Sequence, residues 1–119
     1  MAEAEVKMKF TLPWPPSVLS PNRREHWRVV AKAKKAYRQE CGWQAIAQGG
    51  KAIASKSLHL TITFVPPARH MYDLDNLLAR MKSGLDGLAD ILQVDDSRWT
   101  LTIRKADSVG GMVLIEVSA

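Results

Sequence analysis

The chain has 119 residues, enough for one domain with a single core and too few for two. Its composition, 46% hydrophobic and 24% charged, is that of a soluble globular protein. It has neither a charged-then-apolar leader nor an apolar run near the ~20 residues of a membrane span, so a cytoplasmic location is expected. The net charge of +5 is divided unevenly: residues 1–70 carry twelve Lys/Arg against four Glu, and residues 71–119 carry five against eight acids. One half is suited to attracting phosphate and the other to holding cations.

In chain order, Met1 to Met8 show no period and read as a loosely ordered lead-in. Lys9 to Trp14 alternate with Phe10, Leu12 and Trp14 on one face, a short strand stopped by Pro13, Pro15 and Pro16. Ser17 to Glu25 read as a polar loop ending in basic residues. His26 to Gln48 form a helix with a rough apolar stripe of Trp27, Val30, Ala31, Tyr37, Cys41, Ala45 and Ile46. Arg28, Lys32, Lys34 and Lys35 lie on its exposed side, where a solvated face and phosphate contact are about equally expected. The single Cys41 rules out an internal disulfide and reads as a buried small residue, and no Cys/His cluster suggests zinc. Gly49-Gly50 cap the helix.

Leu58 to Val65 alternate most cleanly, Leu58, Leu60, Ile62 and Phe64 against His59, Thr61 and Thr63, and give the clearest strand. After Pro66-Pro67 and a loop, a second helix is expected with Leu74, Leu77, Leu78, Met81, Leu85, Leu88 and Leu92 as its buried stripe. Trp99, Leu101 and Ile103 mark a third strand. A turn at residues 107–111 leads into a fourth, Met112 to Val117, expected to run back antiparallel to the third. The order β-α-β-α-β-β predicts an α+β, two-layer sandwich with one mixed four-stranded sheet and two helices, in a single domain over residues 1–119.

The second helix opens with Asp73-Leu74-Asp75-Asn76 and is followed by Asp95-Asp96. Carboxylates converging from both ends of one helix would suit Mg²⁺, a hard cation that prefers oxygen ligands. A lone Asp-x-Asp at a helix start is more often a cap, and an Asp-Asp pair followed by Ser97 more often a turn. At ~100° per residue, Asp75, Lys82 and Asp86 fall within about 40° of one another on the polar face. Helical side chains lean toward the N-terminus, so the Lys82 ammonium is expected to lean back toward Asp75. His59 reads as a strand-face residue and His70 as a loop residue facing substrate.

Leu-Pro-Trp-Pro-Pro at 12–16, the Asn22 to Trp27 stretch, the Asp73-Leu74-Asp75-Asn76 box, the Lys82 and Asp86 helix and the Asp95-Asp96 pair together resemble the RusA family of Holliday-junction resolvases. The resemblance runs in order over nearly the whole chain. It implies a bacterial or phage-encoded (prophage) homodimer that resolves four-way DNA junctions in recombination and repair by symmetric, Mg²⁺-dependent hydrolysis, with Mn²⁺ able to substitute. By position, Asp73, Asp75 and Asp96 match the family's catalytic and metal-binding carboxylates, and Asp95 is the adjoining acid. The family lysine falls where this chain has Ala79, so Lys82 is the candidate on the same face. Arg23, Arg24, Lys34, Lys35 and Arg69 would dock the DNA through phosphates. Exposed aromatics such as Tyr72 or Trp27 could stack on unpaired bases, with core packing the expected use of Trp27. Two other readings stay open: a non-catalytic basic nucleic-acid-binding protein, and an Mg²⁺ nuclease acting on flap or other branched substrates.

Overall fold

The alternation in Leu58–Val65 is met in the computed structural model, which describes residues 7–119. Leu58, Leu60, Ile62 and Phe64 are buried, and His59, Thr61 and Thr63 half-buried on the other face. This strand is β2, preceded by β1 (Lys7–Pro13) and α1 (Trp27–Ala47) and followed by α2 (Leu74–Leu92), β3 (Trp99–Lys105) and β4 (Met112–Ser118). The order is the expected β-α-β-α-β-β, and the fold is α+β with one mixed four-stranded sheet and two helices. Of the expected lead-in, residues 1–6 lie outside the described residues, while Lys7 and Met8 already belong to β1. The Ser17–Glu25 loop contains a 3₁₀ turn at Ser17–Leu19.

The sheet is ordered β1-β4-β2-β3, with β4 antiparallel to both of its neighbours and β3 parallel to β2. β4 does run opposite to β3, as expected, but the two do not pair. The intervening turn is tied to the end of β2, where Gly110 N–H donates to Pro66 O at 2.8 Å and Gly111 N–H to Val65 O at 3.0 Å. The chain therefore passes β2 before entering the sheet on its far side. Burial explains the choice: β4 buries Val113, Ile115 and Val117, as a central strand should, whereas β3 leaves Leu101 40% exposed and suits an edge.

The helices cover one face of the sheet. Phe10, Leu12, the inward residues of β2 and β4, Tyr37, Cys41 and Ala45 of α1, and Leu77, Met81, Leu85, Leu88 and Leu92 of α2 form a single buried cluster. The α2 stripe is thus as expected, with Leu74 and Leu78 at its half-buried margin. The α1 stripe is narrower than expected, because Trp27, Ala31 and Ile46 are exposed. Glycines set the helix–helix approach. A Cβ on Gly87 would stand 2.3 Å from the Arg38 carbonyl oxygen, and one on Gly84 would stand 2.5 Å from the Tyr37 ring. Two hydrogen bonds of 2.9 Å from Arg38 to the Asp90 carboxylate tie the outer side of this crossing. α1 ends in a Schellman motif with Gly49 at φ 91°, Gly50 N–H reaching back to Ala45 O at 2.7 Å. Gln48 next to it hydrogen-bonds both the N–H and the C=O of Thr11 on the outer edge of β1.

Candidate functional site

The loop that delivers α2 is fixed by its surroundings. Trp14, at the end of β1, packs edge-on against Phe64 (6.1 Å between centroids) and Tyr72 (5.4 Å), and Lys105 of β3 donates to Tyr72 O at 3.1 Å. Asp73 then takes the N-cap position in extended geometry, its carbonyl accepting Leu77 N–H at 3.0 Å. Its carboxylate makes no capping hydrogen bond, although sequence favours one. Asp75 lies in the first turn. Both carboxylates are exposed, and neither has a hydrogen-bond or ion-pair partner among the described residues. Two acidic groups thus stand at the positive end of a helix dipole with their oxygens available.

The rest of the expected site is arranged differently. Lys82 does not lean back toward Asp75. Its ammonium sits 2.9 Å from the Asp86 carboxylate, one turn onward, and also contacts the Asp96 carboxylate beyond the helix end. Two acids outweigh the N-terminal lean of a helical side chain when the stem is long and flexible. The Asp96 contact first, then that with Asp86, raises the Lys82 pKa above the ordinary lysine value. Asp95 turns away to cap the 3₁₀ turn Asp96–Arg98, accepting the Ser97 N–H at 3.2 Å and the Ser97 hydroxyl. The hydroxyl, and after it the N–H, lowers the Asp95 pKa.

Asp75 and Asp86 are about 16 Å apart along the helix axis, and ligands of one Mg²⁺ must each reach within about 2.1 Å of it. Asp96 stands beside Lys82 and Asp86, both of α2. Among the described residues, no three His, Cys, Asp or Glu side chains form a metal-binding group. Asp73 and Asp75 lie at the start of α2, and Asp95 and Asp96 follow its end.

What opens beside Asp75 is a groove of about 770 Å³ between the Ser17–Leu19 turn, α1 and α2. Val18, Val30 and Leu78 contribute apolar walls, and Arg23, Lys34, Arg80 and Lys82 bring positive charge. Of these cations, Arg23 is paired with Glu25 at 2.7 Å. Arg80 is a structural clamp: it donates to Pro15 O at 2.6 Å and lies 5.7 Å over the Trp14 ring, and burial lowers its pKa. The Leu-Pro-Trp-Pro-Pro segment is thereby pinned to α2, and the Tyr37 hydroxyl, which donates to Pro13 O at 2.7 Å, pins it to α1. Burial pushes the Tyr37 pKa up, and pushes Cys41 up to about 12. Cys41 is the buried residue expected from its context.

The expected DNA-binding residues are all exposed but do not share one surface. Arg23 and Lys34 line the groove, Lys35 faces a second depression with Arg38, Trp43 and Asp90, and Arg69 lies in the loop before α2 beside His70. Trp27 corrects an expectation, being 69% exposed, stacked on His26 and contacted by Arg28 at 5.3 Å, and not part of the core. It is the first residue of α1. His59 is the strand-face residue expected, bridging Thr100 (2.7 Å) and Thr102 (3.0 Å) on the uncovered face. Sequence reasoning missed the clamp role of Arg80 and the pairing of Lys82 with Asp96. Asp86 four residues after Lys82 was the available signal for half of the latter.

No protein-family model matches the chain. It is 37% identical over 127 aligned positions to an uncharacterized protein of Xylella fastidiosa (strain Temecula1 / ATCC 700964), a match covering 99% of this chain and 80% of that protein. With that identity spread across nearly its whole length, the chain belongs to the family of this Xylella fastidiosa protein.

Proposed function

We propose that the protein is a Mg²⁺-dependent endodeoxyribonuclease of the RusA type that acts on four-way DNA junctions. The observation that supports this most is the pair of uncommitted carboxylates, Asp73 and Asp75, at a helix N-terminus beside a cation-lined groove. Carboxylate oxygens fit a hard divalent ion, and Asp73 and Asp75 would hold it together with Asp96. In this reading the protein acts as a homodimer with one such site in each copy. Bound there, Mg²⁺ would activate water and neutralise the scissile phosphate. The chain's own part is to fix the carboxylates on a packed helix, to keep Lys82 beside Asp96, and to draw in phosphates with the basic first half. Arg23, Arg24, Lys34 and Arg69 supply that attraction, with the exposed Trp27 ring available for an unpaired base.

The deciding experiment is incubation of the protein with end-labelled four-way, flap and linear duplex DNA, with and without Mg²⁺. Paired symmetric cuts in the junction alone are expected. Equal cutting of flaps would widen the substrate class to branched DNA in general. Salt-sensitive binding with no metal-dependent cut in any substrate would refute the nuclease reading in favour of a binding protein.

A further inference from the structure

Among the four cations of the groove beside Asp75, three are already engaged. Arg23 is held by Glu25, Arg80 by the Pro15 carbonyl and the Trp14 ring, and Lys82 by Asp86 and Asp96. Lys34, from α1, also lines the groove, and has no ion-pair or hydrogen-bond partner among the described residues. Asp75 lines the same groove and is likewise unpartnered. A groove that holds one uncommitted acid and one uncommitted base on facing helices is preorganised for a ligand that presents both a cation and an anion. A metal-bound phosphate is such a ligand.

We propose that Lys34 is the phosphate-binding residue of this groove, contacting the DNA strand that Asp75 helps to place, and so supplies the charge that Lys82 is too engaged to give. The inference rests on the nuclease reading for its metal but on geometry for the lysine. It separates two residues adjacent in sequence. Lys35 looks into the other depression, where Arg38 is already paired with Asp90, and should matter only as a general surface charge. Lys34 is exposed, so its variants should fold.

Two measurements test this. In the first, single-turnover cleavage of a four-way junction at saturating protein is compared for wild type, Lys34→Ala, Lys34→Arg and Lys35→Ala. The expected result is a loss of about 10²-fold in rate for Lys34→Ala, the scale of one preorganised charge. Lys34→Arg should recover most of it, Lys35→Ala should stay near wild type, and junction affinity should change little. Equal rates for Lys34→Ala and Lys35→Ala would overturn the proposal. In the second, lysines are reductively ¹³C-methylated and the protein is titrated with a 5′-phosphorylated thymidine tetranucleotide in Ca²⁺, which supports no cutting. The Lys34 resonance, assigned from Lys34→Arg, should shift while that of Lys35 does not. If wild type cuts no DNA, the nuclease reading falls and the resonance alone judges Lys34. A stationary Lys34 resonance then refutes the inference by itself.

Discussion

Replacing Gly87 with Ala should destabilise the protein even though alanine is the better helix former. The added Cβ would lie 2.3 Å from the Arg38 carbonyl oxygen and 3.1 Å from its carbon, and both belong to backbone that cannot rotate aside. Restoring an ordinary contact of about 3.4 Å requires α1 and α2 to separate by about 1 Å, and a gap of that size forfeits a quarter to a half of the dispersion energy across it. Overpacking of this kind costs about 1–3 kcal/mol, with the upper end expected where backbone meets backbone. Helix propensity returns about 1 kcal/mol, so the net loss should be about 2 kcal/mol. For a domain of this size that lowers Tm by roughly 8 °C. Gly42→Ala is the matched control at the same crossing. Its Cβ would meet only the Gly87 carbonyl oxygen at 3.7 Å, an ordinary contact, so propensity alone should act and raise Tm by about 2–4 °C. Thermal unfolding followed by circular dichroism measures both. A Gly87→Ala variant melting at or above wild type, or a Gly42→Ala variant losing as much as Gly87→Ala, would refute the close-approach argument.

On the proposed nuclease reading, Asp75→Asn should abolish Mg²⁺-dependent cleavage while leaving junction binding intact or stronger, since it would remove a metal-holding charge and a repulsion toward phosphate; full activity at ordinary Mg²⁺ would contradict that reading. Lys82→Ala should cost at most about 1 kcal/mol of stability, because the side chain is 61% exposed and its pairs are screened by solvent. The Lys82 pKa is raised on folding, so that contribution is present below the ordinary lysine value and is lost as pH rises through the folded one; the Tm gap to wild type should persist at neutral pH and close only under strongly alkaline conditions. Trp27→Ala should weaken binding of single-stranded DNA by about 1–3 kcal/mol if the exposed ring stacks on a base, with little change in Tm; fluorescence anisotropy of a labelled oligothymidylate checks it.

The parts of the fold that sequence conveyed are those where one periodicity governs burial. β2 has a polar and an apolar face, and its limits are met at Leu58 and Val65; the α2 stripe buries as its spacing demands. Strand pairing was less legible. The turn at 107–111 has the composition of a hairpin, but its N–H groups are spent on Pro66 and Val65, a partner no local pattern reveals. Burial of Trp27 was inferred from residue type, and type does not say where along a helix the sheet ends. At the site, the positions of Asp73 and Asp75 follow from the helix start. The partners of Lys82 do not, because a four-carbon stem reaches an acid fourteen residues away as easily as one on the next turn.

β4 is the last strand in the chain yet lies between β1, the first, and β2. Seven residues of β1 pair with it, Lys7 opposite Ser118 through Pro13 opposite Met112, and among the described residues β1 has no other strand beside it. As the chain leaves the ribosome, Phe10 and Leu12 therefore have no sheet to join until Met112–Ser118 emerges. The strand contacts that complete the sheet are the most distant in sequence, which makes closure a late and slow step. A chain cut before Met112 should not be a slightly weakened version of the whole. It should lose β1 from the sheet and open the core between β1 and β2, behaving as an unfolded, protease-sensitive fragment.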